Sequence, residues 1–564
     1  MTASVVVAAI LAFALAYRLY GRFLSRQLRL DDARPTPAVR INDGVDYVPA
    51  RPSLLLGQHF SAIAAAGPIV GPILAGMSYG WLPTLLWIVL GTIFIGGVHD
   101  FTSLAASIRH NAASIGEVVR VNMSRTSQVL FLLFVWLCLI YVVIAFSDVT
   151  AQTFRAVSGA EAYGPAVAAS SVLYLLAGVA MGLLLYKAKV RLWLATLVFV
   201  PAVLAIVWLG PHLPAPLLEA LSAVSAKQWD AVLLAYCFVA SLIPMWLLLQ
   251  PRGYLGGWLL YLSVAAGLMG ALSGRFGIQA PAVVDQGPSG LFGGLLPMMP
   301  FLFITVACGA CSGFHGIVST GTTSKQLAKE TDARRIGYGA MLLEGLVAVL
   351  ALATVMMMGS EETAAARKSG PNMIYAEGIA RYLGLLGVDH RLAMSFALLA
   401  FSTFVYDTLD VATRLGRYIF QELAGLKGRW GAIAATAATL LGPLAFLMLI
   451  RREQAWRVAW NIFGASNQLL ASLTLLALSV WLASTGRRVY YVVIPMAFMM
   501  AMAIWSLALQ CWPFWTGLVR GGLVSDTAII GMAGTLLLAL SLWLIAEAAR
   551  IVLRRRIAPR AQRL

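Results

Sequence analysis

Residues 58–76 read QHFSAIAAAGPIVGPILAG, a stretch apolar enough for a bilayer yet carrying two prolines four residues apart. Pro68 and Pro72 each lack an N–H and clash with the preceding turn of a helix. Gly67 and Gly71 add backbone freedom beside them. The segment therefore predicts a helix broken at membrane depth, unwound over Ala66–Pro72. Unwound backbone is tolerated there only where it is buried in protein or lines a cavity, so the break is also the first candidate for a binding site.

The rest of the chain supports a membrane setting. Of 564 residues, 60% are apolar and 12% are charged, with a mean hydropathy of +0.83. Soluble domains carry about 25% charged residues, so a soluble enzyme is excluded, as are collagen-like, disordered and coiled-coil chains. The five cysteines are an odd set lying in or at the end of apolar runs, which argues against a disulfide framework. Residues 5–20 are read as a first transmembrane helix rather than a signal peptide, because arginines follow the apolar run instead of preceding it.

A spanning helix needs roughly 20 mostly apolar residues, and the chain offers about fifteen such segments. With the N-terminus outside and the C-terminus cytoplasmic, three quarters of the 41 Lys and Arg fall on the cytoplasmic side, as the positive-inside bias requires. The net charge of +17 thus reads as topology and not as a nucleic-acid-binding surface. The loop with Arg451, Arg452 and Arg457 is the exception, falling outside. The seventh span, SLIPMWLLLQPRG with Pro244 and Pro251, is a second expected interruption. Five spans separate the two interrupted segments, so they run in opposite directions, the pattern of inverted-repeat transporters with a midplane site. The expected organisation is a terminal helix and basic loop (1–56), a first five-helix unit (57–210), a second inverted unit (229–425) and further helices (426–564). The fold class is an all-α polytopic membrane protein.

Several segments resemble the carbon starvation protein A family: NDGVDYVPARPSLLLGQHFSAIAAAGPIVGPILAG (42–76), GGVHDFTSL (96–104), IPMWLLLQPRGYL (243–255), ACGACSGFHGIVSTGTTSKQL (307–327), STFVYDTLDVATRLGRY (402–418) and IFGASNQLLA (462–471). The resemblance covers most of the chain. It implies a transporter of the bacterial inner membrane, similar to the amino acid–polyamine–cation superfamily with its five-plus-five inverted repeat. It implies uptake of di- or tripeptides during carbon starvation, or, as the alternative, proton-coupled uptake of pyruvate. H+ is the expected coupling ion and Na+ the alternative. Beyond the substrate, membrane lipids are the expected partners and no cofactor is expected.

Ionisable groups inside spans are costly and therefore candidates for function. Gln58, His59, Ala66, Gly67, Pro68 and Gly71 at the first break, with Ser312 and His315, are the expected substrate contacts. Asp100, Thr322, Thr323, Lys325 and Asp407 are the expected proton or ion sites. Adjacent residues on a helix point about 100° apart, so only one of His99 and Asp100 is expected to face a cavity. Arg109 is a possible partner of Asp100. Asp410 and Arg414 are spaced to pair on one helix face, which leaves Asp407 without a partner at that spacing. Asp148 is a second-tier proton site. Asn461, Asn467 and Gln468 read as hydrogen-bond glue between helices. Cys308, Cys311 and His315 would share one face of a continuous helix and could gather three zinc ligands; the family resemblance does not support a metal there. No HExxH, GxSxG or Walker A pattern points to an enzyme.

Overall fold

A computed structural model describes residues 1–43, 47–159, 161–284, 298–450, 454–520 and 525–557. Helices account for most of them. In chain order the principal ones are α1 (Thr2–Leu28), α2 (Pro52–Ile63), α3 (Gly67–Tyr79), α4 (Trp81–Arg109), α5 (Arg125–Thr153), α6 (Gly164–Tyr186), α7 (Leu192–His212), α8 (Ala226–Leu242) and α9 (Leu249–Leu272). There follow α10 (Phe301–Thr305), α11 (Gly313–Gly321), α12 (Arg334–Met356), α13 (Pro371–Gly384), α14 (His390–Ala424), α15 (Gly428–Leu449), α16 (Ala455–Ser484), α17 (Tyr490–Arg520) and α18 (Ser525–Ile557). Twelve helices are long and apolar enough to cross a membrane, or thirteen spans with α2 and α3 taken as one. The two other expected spans are α8, with 17 residues, and the split pair α10 and α11.

The first break is where the sequence places it to within a few residues. α2 and α3 meet at 47°. The unwound residues are Ala64–Ala66, however, and GPIVGP is helical. Pro68 stands in the first turn of α3, where a missing N–H costs nothing. The second break is corrected. The segment around Pro244 and Pro251 ends α8 and starts α9 instead of interrupting a span. Ile243 is extended, as the residue before a proline prefers, and Pro251 falls in the first turn of α9, whose N–H groups have no intrahelical acceptor. The interruption at membrane depth lies instead between α10 and α11, in the run Val306–Ser312.

The two breaks sit against each other. A Cβ on Gly67 would lie 2.4 Å from Cys308 Sγ, and one on Gly71 would lie 2.5 Å from the carbonyl oxygen of Thr305. The glycines of GPIVGP thus serve close approach between backbones more than flexibility. On the far side, Thr92 Oγ1 of α4 donates to the Gly309 carbonyl at 3.0 Å.

Around this crossing the helices form an inner and an outer set. The central stretches of α14 and α16 are 94% buried, against 22% for α7 and 28% for α1. α14 and α16 are also the least apolar of the twelve. Lipid selects for grease on the outer helices, while polar side chains are admitted where other helices can pair with them.

The basic loops gather at one end. Arg109 reaches Glu330 at 2.7 Å and the Arg29 carbonyl at 3.0 Å, Arg487 donates to the Leu28 carbonyl, and Ala50 N–H donates to Gln326. Arg109 therefore pairs with Glu330 and not with Asp100. The start of α16 is at the opposite end, where Trp456 N–H donates to Asp148 Oδ2 at 2.6 Å. Arg457 lies with it, while Arg451 and Arg452 lie outside the described residues. Asp148 holds the first turn of α16, which has no side-chain cap of its own.

Candidate transport site

The second break is unwound yet buried, so its backbone groups need partners. α16 supplies them. Asn467 Oδ1 accepts from Phe314 N–H at 3.0 Å and from Ser312 Oγ at 3.3 Å, while its Nδ2 lies 3.1 Å from Ser312 Oγ and 3.6 Å from Cys308 Sγ. Gln468 Nε2 donates to the carbonyls of Phe303 and Ala307, both at 3.3 Å. The expected glue role of Asn467 and Gln468 is seen, directed at the unwound strand. Asn461 offers its carbonyl to Gln510. Asn467→Ala leaves buried donors and acceptors unpaired at a cost of about 1–3 kcal/mol. It is expected to lower thermostability in detergent and to abolish uptake; a variant as thermostable as the parent would refute this bracing role.

This break also corrects the metal reading. Cys308 and Cys311 lie in the unwound run and His315 in α11, so the three do not share a helix face. Among the described residues no group of three or more His, Cys, Asp or Glu side chains is arranged to hold a metal ion.

Beside the break is a chain of buried ionisable groups. His99 Nδ1 lies 2.8 Å from Asp100 Oδ1, and His315 Nδ1 lies 2.9 Å from Asp100 Oδ2. His315 Nε2 is 3.3 Å from Glu344 Oε2 of α12. All four side chains are fully buried. His99 and Asp100 thus touch, contrary to the expectation that one would turn away; both are directed into protein. Glu344 was missed. Its signal was plain, a lone acid within the apolar run GAMLLEGLVAVL.

A second buried cluster joins α2, α8, α9 and α14. Arg252 has no exposed surface. Its Nε donates to Asp407 Oδ1 at 3.0 Å, Nη2 lies 2.8 Å from the same oxygen, and Nη1 lies 2.8 Å from Asp410 Oδ2. Tyr236 Oη donates to Asp410 at 2.8 Å, and Ser61 Oγ, two residues before the end of α2, lies 3.2 Å from Asp407 Oδ2. Asp410 therefore pairs with Arg252, not Arg414. Arg414 instead donates to the carbonyls of Ala240 and Ile243 at 2.7 and 2.8 Å. These belong to the end of α8, whose last carbonyls lack intrahelical donors. Arg252 is absent from the expected site residues, because SLIPMWLLLQPRG reads as a proline-interrupted span and draws attention to Pro244 and Pro251 instead.

Two adjoining cavities open towards the end that carries the basic loops. The outer one, of about 360 Å³, is lined by Lys325, Gln326, Arg414, Glu422 and Gln250 among others. It shares Thr322, Met245 and Val411 with a deeper one of about 100 Å³ that reaches Gln58, His59, Ser61, Thr323 and Asp407. His59 Nδ1 lies 2.9 Å from Thr323 Oγ1, and its Nε2 and the Gln58 Oε1 are buried without a hydrogen bond. A cavity of about 400 Å³ opens at the opposite end of α12, among Glu362, Glu377, Arg381 and His390. Of the expected site residues, Gln58, His59, Thr322, Thr323, Lys325 and Asp407 border the first pair of cavities. Ala66, Gly67, Pro68, Gly71, Asp100, Ser312 and His315 are packed in the protein, away from both openings.

Two interlocked broken helices between cavities at opposite ends of a polytopic bundle define a membrane transporter. The sequence matches the family described as Carbon starvation protein CstA over residues 1–366 and 358–506, and the chain belongs to it. The peptide transporter CstA of Helicobacter pylori strain J99 is 31% identical over 573 residues, spanning 90% of this chain and 82% of that protein. The pyruvate/proton symporter BtsT of Escherichia coli K12 is 31% identical over 595 residues, spanning 90% and 81%. A solved manganese transporter of Eremococcus coleocola has a TM-score of 0.44 at 14% identity and covers 91% of this chain and 99% of that one.

Proposed function

We propose that this protein imports small peptides across the bacterial inner membrane by alternating access, coupled to protons. The carrying observation is the crossing of the two breaks between a cavity that ends on His59 and Thr323 and a second cavity at the other end. A rocking of one broken pair against the other exchanges which cavity is deep. The relative named as a peptide transporter supports the substrate class. The second reading, a proton-coupled symporter of pyruvate, is favoured by the relative of that name and by the basic mouth with Lys325 and Arg414. The N-terminus is outside and the C-terminus cytoplasmic in this reading, so the cavity pair opens inward. The two broken pairs, α2–α3 and α10–α11, are then the leading segments of the inverted units, in place of 229–250 for the second.

The test is uptake into proteoliposomes of labelled di- and tripeptides and of pyruvate, under imposed pH or Na+ gradients. Accumulation under a pH gradient is expected, and no accumulation of either class under any gradient refutes the reading. Lys325 stands at the cavity mouth with its Nζ 5.5 Å from the ring of Tyr47. Lys325→Met is expected to raise the KM for a carboxylate substrate severalfold and leave proton coupling intact, read from uptake at graded substrate and pH. Loss of pH dependence at unchanged KM would instead make Lys325 a proton carrier.

A further inference from the structure

The structure assigns the coupling proton to Glu344, shared through His315 with Asp100; this rests on the reading of the chain as a proton-coupled transporter. Glu344 is fully buried, and its oxygens form no hydrogen bond; the polar atom facing them is His315 Nε2 at 3.3 Å, itself without a hydrogen bond. An ionised carboxylate left so costs several kcal/mol, and no Lys or Arg among the described residues pairs with it. The position is occupied by an acid even though the surrounding run of α12 is apolar, which a merely structural role does not require.

The groups that face Glu344 complete the site. From α11 comes His315, with Nε2 3.3 Å away and Nδ1 on Asp100. From α4 come Asp100 and His99, and from the unwound run Cys308 and Cys311. Both ring nitrogens of His315 look at carboxylate oxygens, yet a neutral imidazole carries one N–H. The 3.3 Å approach of Nε2 to Glu344 is favourable only when one further proton is held there. With His99 neutral, the set Glu344, His315 and Asp100 has charge −2 without that proton and −1 with it. A single proton taken up or released moves it between these states, and the proton belongs to the set and not to one residue.

The set is also placed to transmit its state. His315 is the third residue of α11, directly after the second break, while Asp100 belongs to α4 and Glu344 to α12. Loading pulls α11 onto α4 and α12 through the imidazole. Unloading sets Glu344 against Asp100 and loosens it. Access runs from the inner cavity by His59, which lines that cavity and lies within electrostatic range of Asp100 and His315. His99 Nε2 is left without a hydrogen bond beside Gly316, on the same side of α11.

The experiment compares Glu344→Gln with the parent in proteoliposomes, using labelled alanyl-alanine and labelled pyruvate. Gln keeps the shape and holds no exchangeable charge. The expected result is loss of pH-gradient-driven accumulation to the level without a gradient, and loss of substrate-induced proton entry. Exchange of internal for external substrate, which needs no net proton movement, stays within about twofold of the parent. Glu344→Asp is expected to restore part of the accumulation. Accumulation by E344Q with the parent's pH dependence overturns the assignment. So does loss of exchange in E344Q and E344D alike, which makes Glu344 a structural residue. If the parent itself moves neither probe, the proposed function has failed and not this assignment.

Discussion

Arg252→Met is expected to be among the most destabilising single substitutions in this protein. It leaves Asp407 and Asp410 facing each other in the bundle without their shared cation. Removing one partner of a buried ionic group costs about 3–5 kcal/mol, because the charge left behind has neither water nor a counter-ion. Nothing nearby replaces the guanidinium, since Arg414 is held by the α8 carbonyls. Arg252→Lys keeps the charge but not the fork that spans Asp407 and Asp410, so it is expected to fall between. The triple change R252M/D407N/D410N removes charge from all three and is expected to recover most of the lost stability. Thermal midpoints in detergent, ranked parent, triple, R252K, R252M, check this. An R252M protein as stable as the parent would remove the cluster from any structural account. Because Ser61 ties Asp407 to the tip of α2, Asp407→Asn is further expected to alter transport more than stability, read from uptake against thermal midpoint.

The second large effect concerns the crossing of the breaks. A Cβ at Gly71 would stand 2.5 Å from Thr305 O and 3.2 Å from Val306 Cα, both main-chain atoms. Overpacking of this kind costs about 1–3 kcal/mol where neighbours can adjust, and here the neighbour is a strand pinned by Asn467 and Gln468. Gly71→Ala is expected to abolish uptake and to lower the thermal midpoint. Gly67→Ala differs because its obstacle is the Cys308 side chain, with Cβ and Sγ both 2.4 Å away. The double variant G67A/C308G is therefore expected to regain uptake that G67A loses, whereas C308G does nothing for G71A. Gly384→Ala, whose Cβ meets nothing within 4 Å, serves as the neutral control. Uptake and thermal midpoint for the five variants form the test, and G71A with parental uptake would show that the breaks are not fixed against each other.

These two effects divide what is legible in the chain from what is not. Amino-acid composition and the positions of apolar runs determine that this is a polytopic helical membrane protein. A helix satisfies its own backbone, so local sequence is enough to place it in a bilayer. The bias of Lys and Arg determines which loops share an end, because each charge is excluded from lipid independently of the others. GPIVGP marks the first span as broken to within a few residues, since a proline clashes with the turn before it.

The tertiary structure alone decided the rest. Pro244 and Pro251 look like a broken span but bound two helices, while the actual second break has no proline and exists because Asn467 and Gln468 pay for its unpaired backbone from 150 or more residues away. Asp410 had a partner at the right local spacing and took another from α9. Cys308, Cys311 and His315 had the spacing of a ligand set, and lost it when the helix between them unwound. Asp100, His315 and Glu344 stand on three helices and become one acid–imidazole chain only when α4, α11 and α12 pack. The physical reason is common to all four. A charge or unpaired backbone group in the membrane interior is stable only with a partner, and the partner is chosen by which helices pack together, a choice that local patterns do not encode.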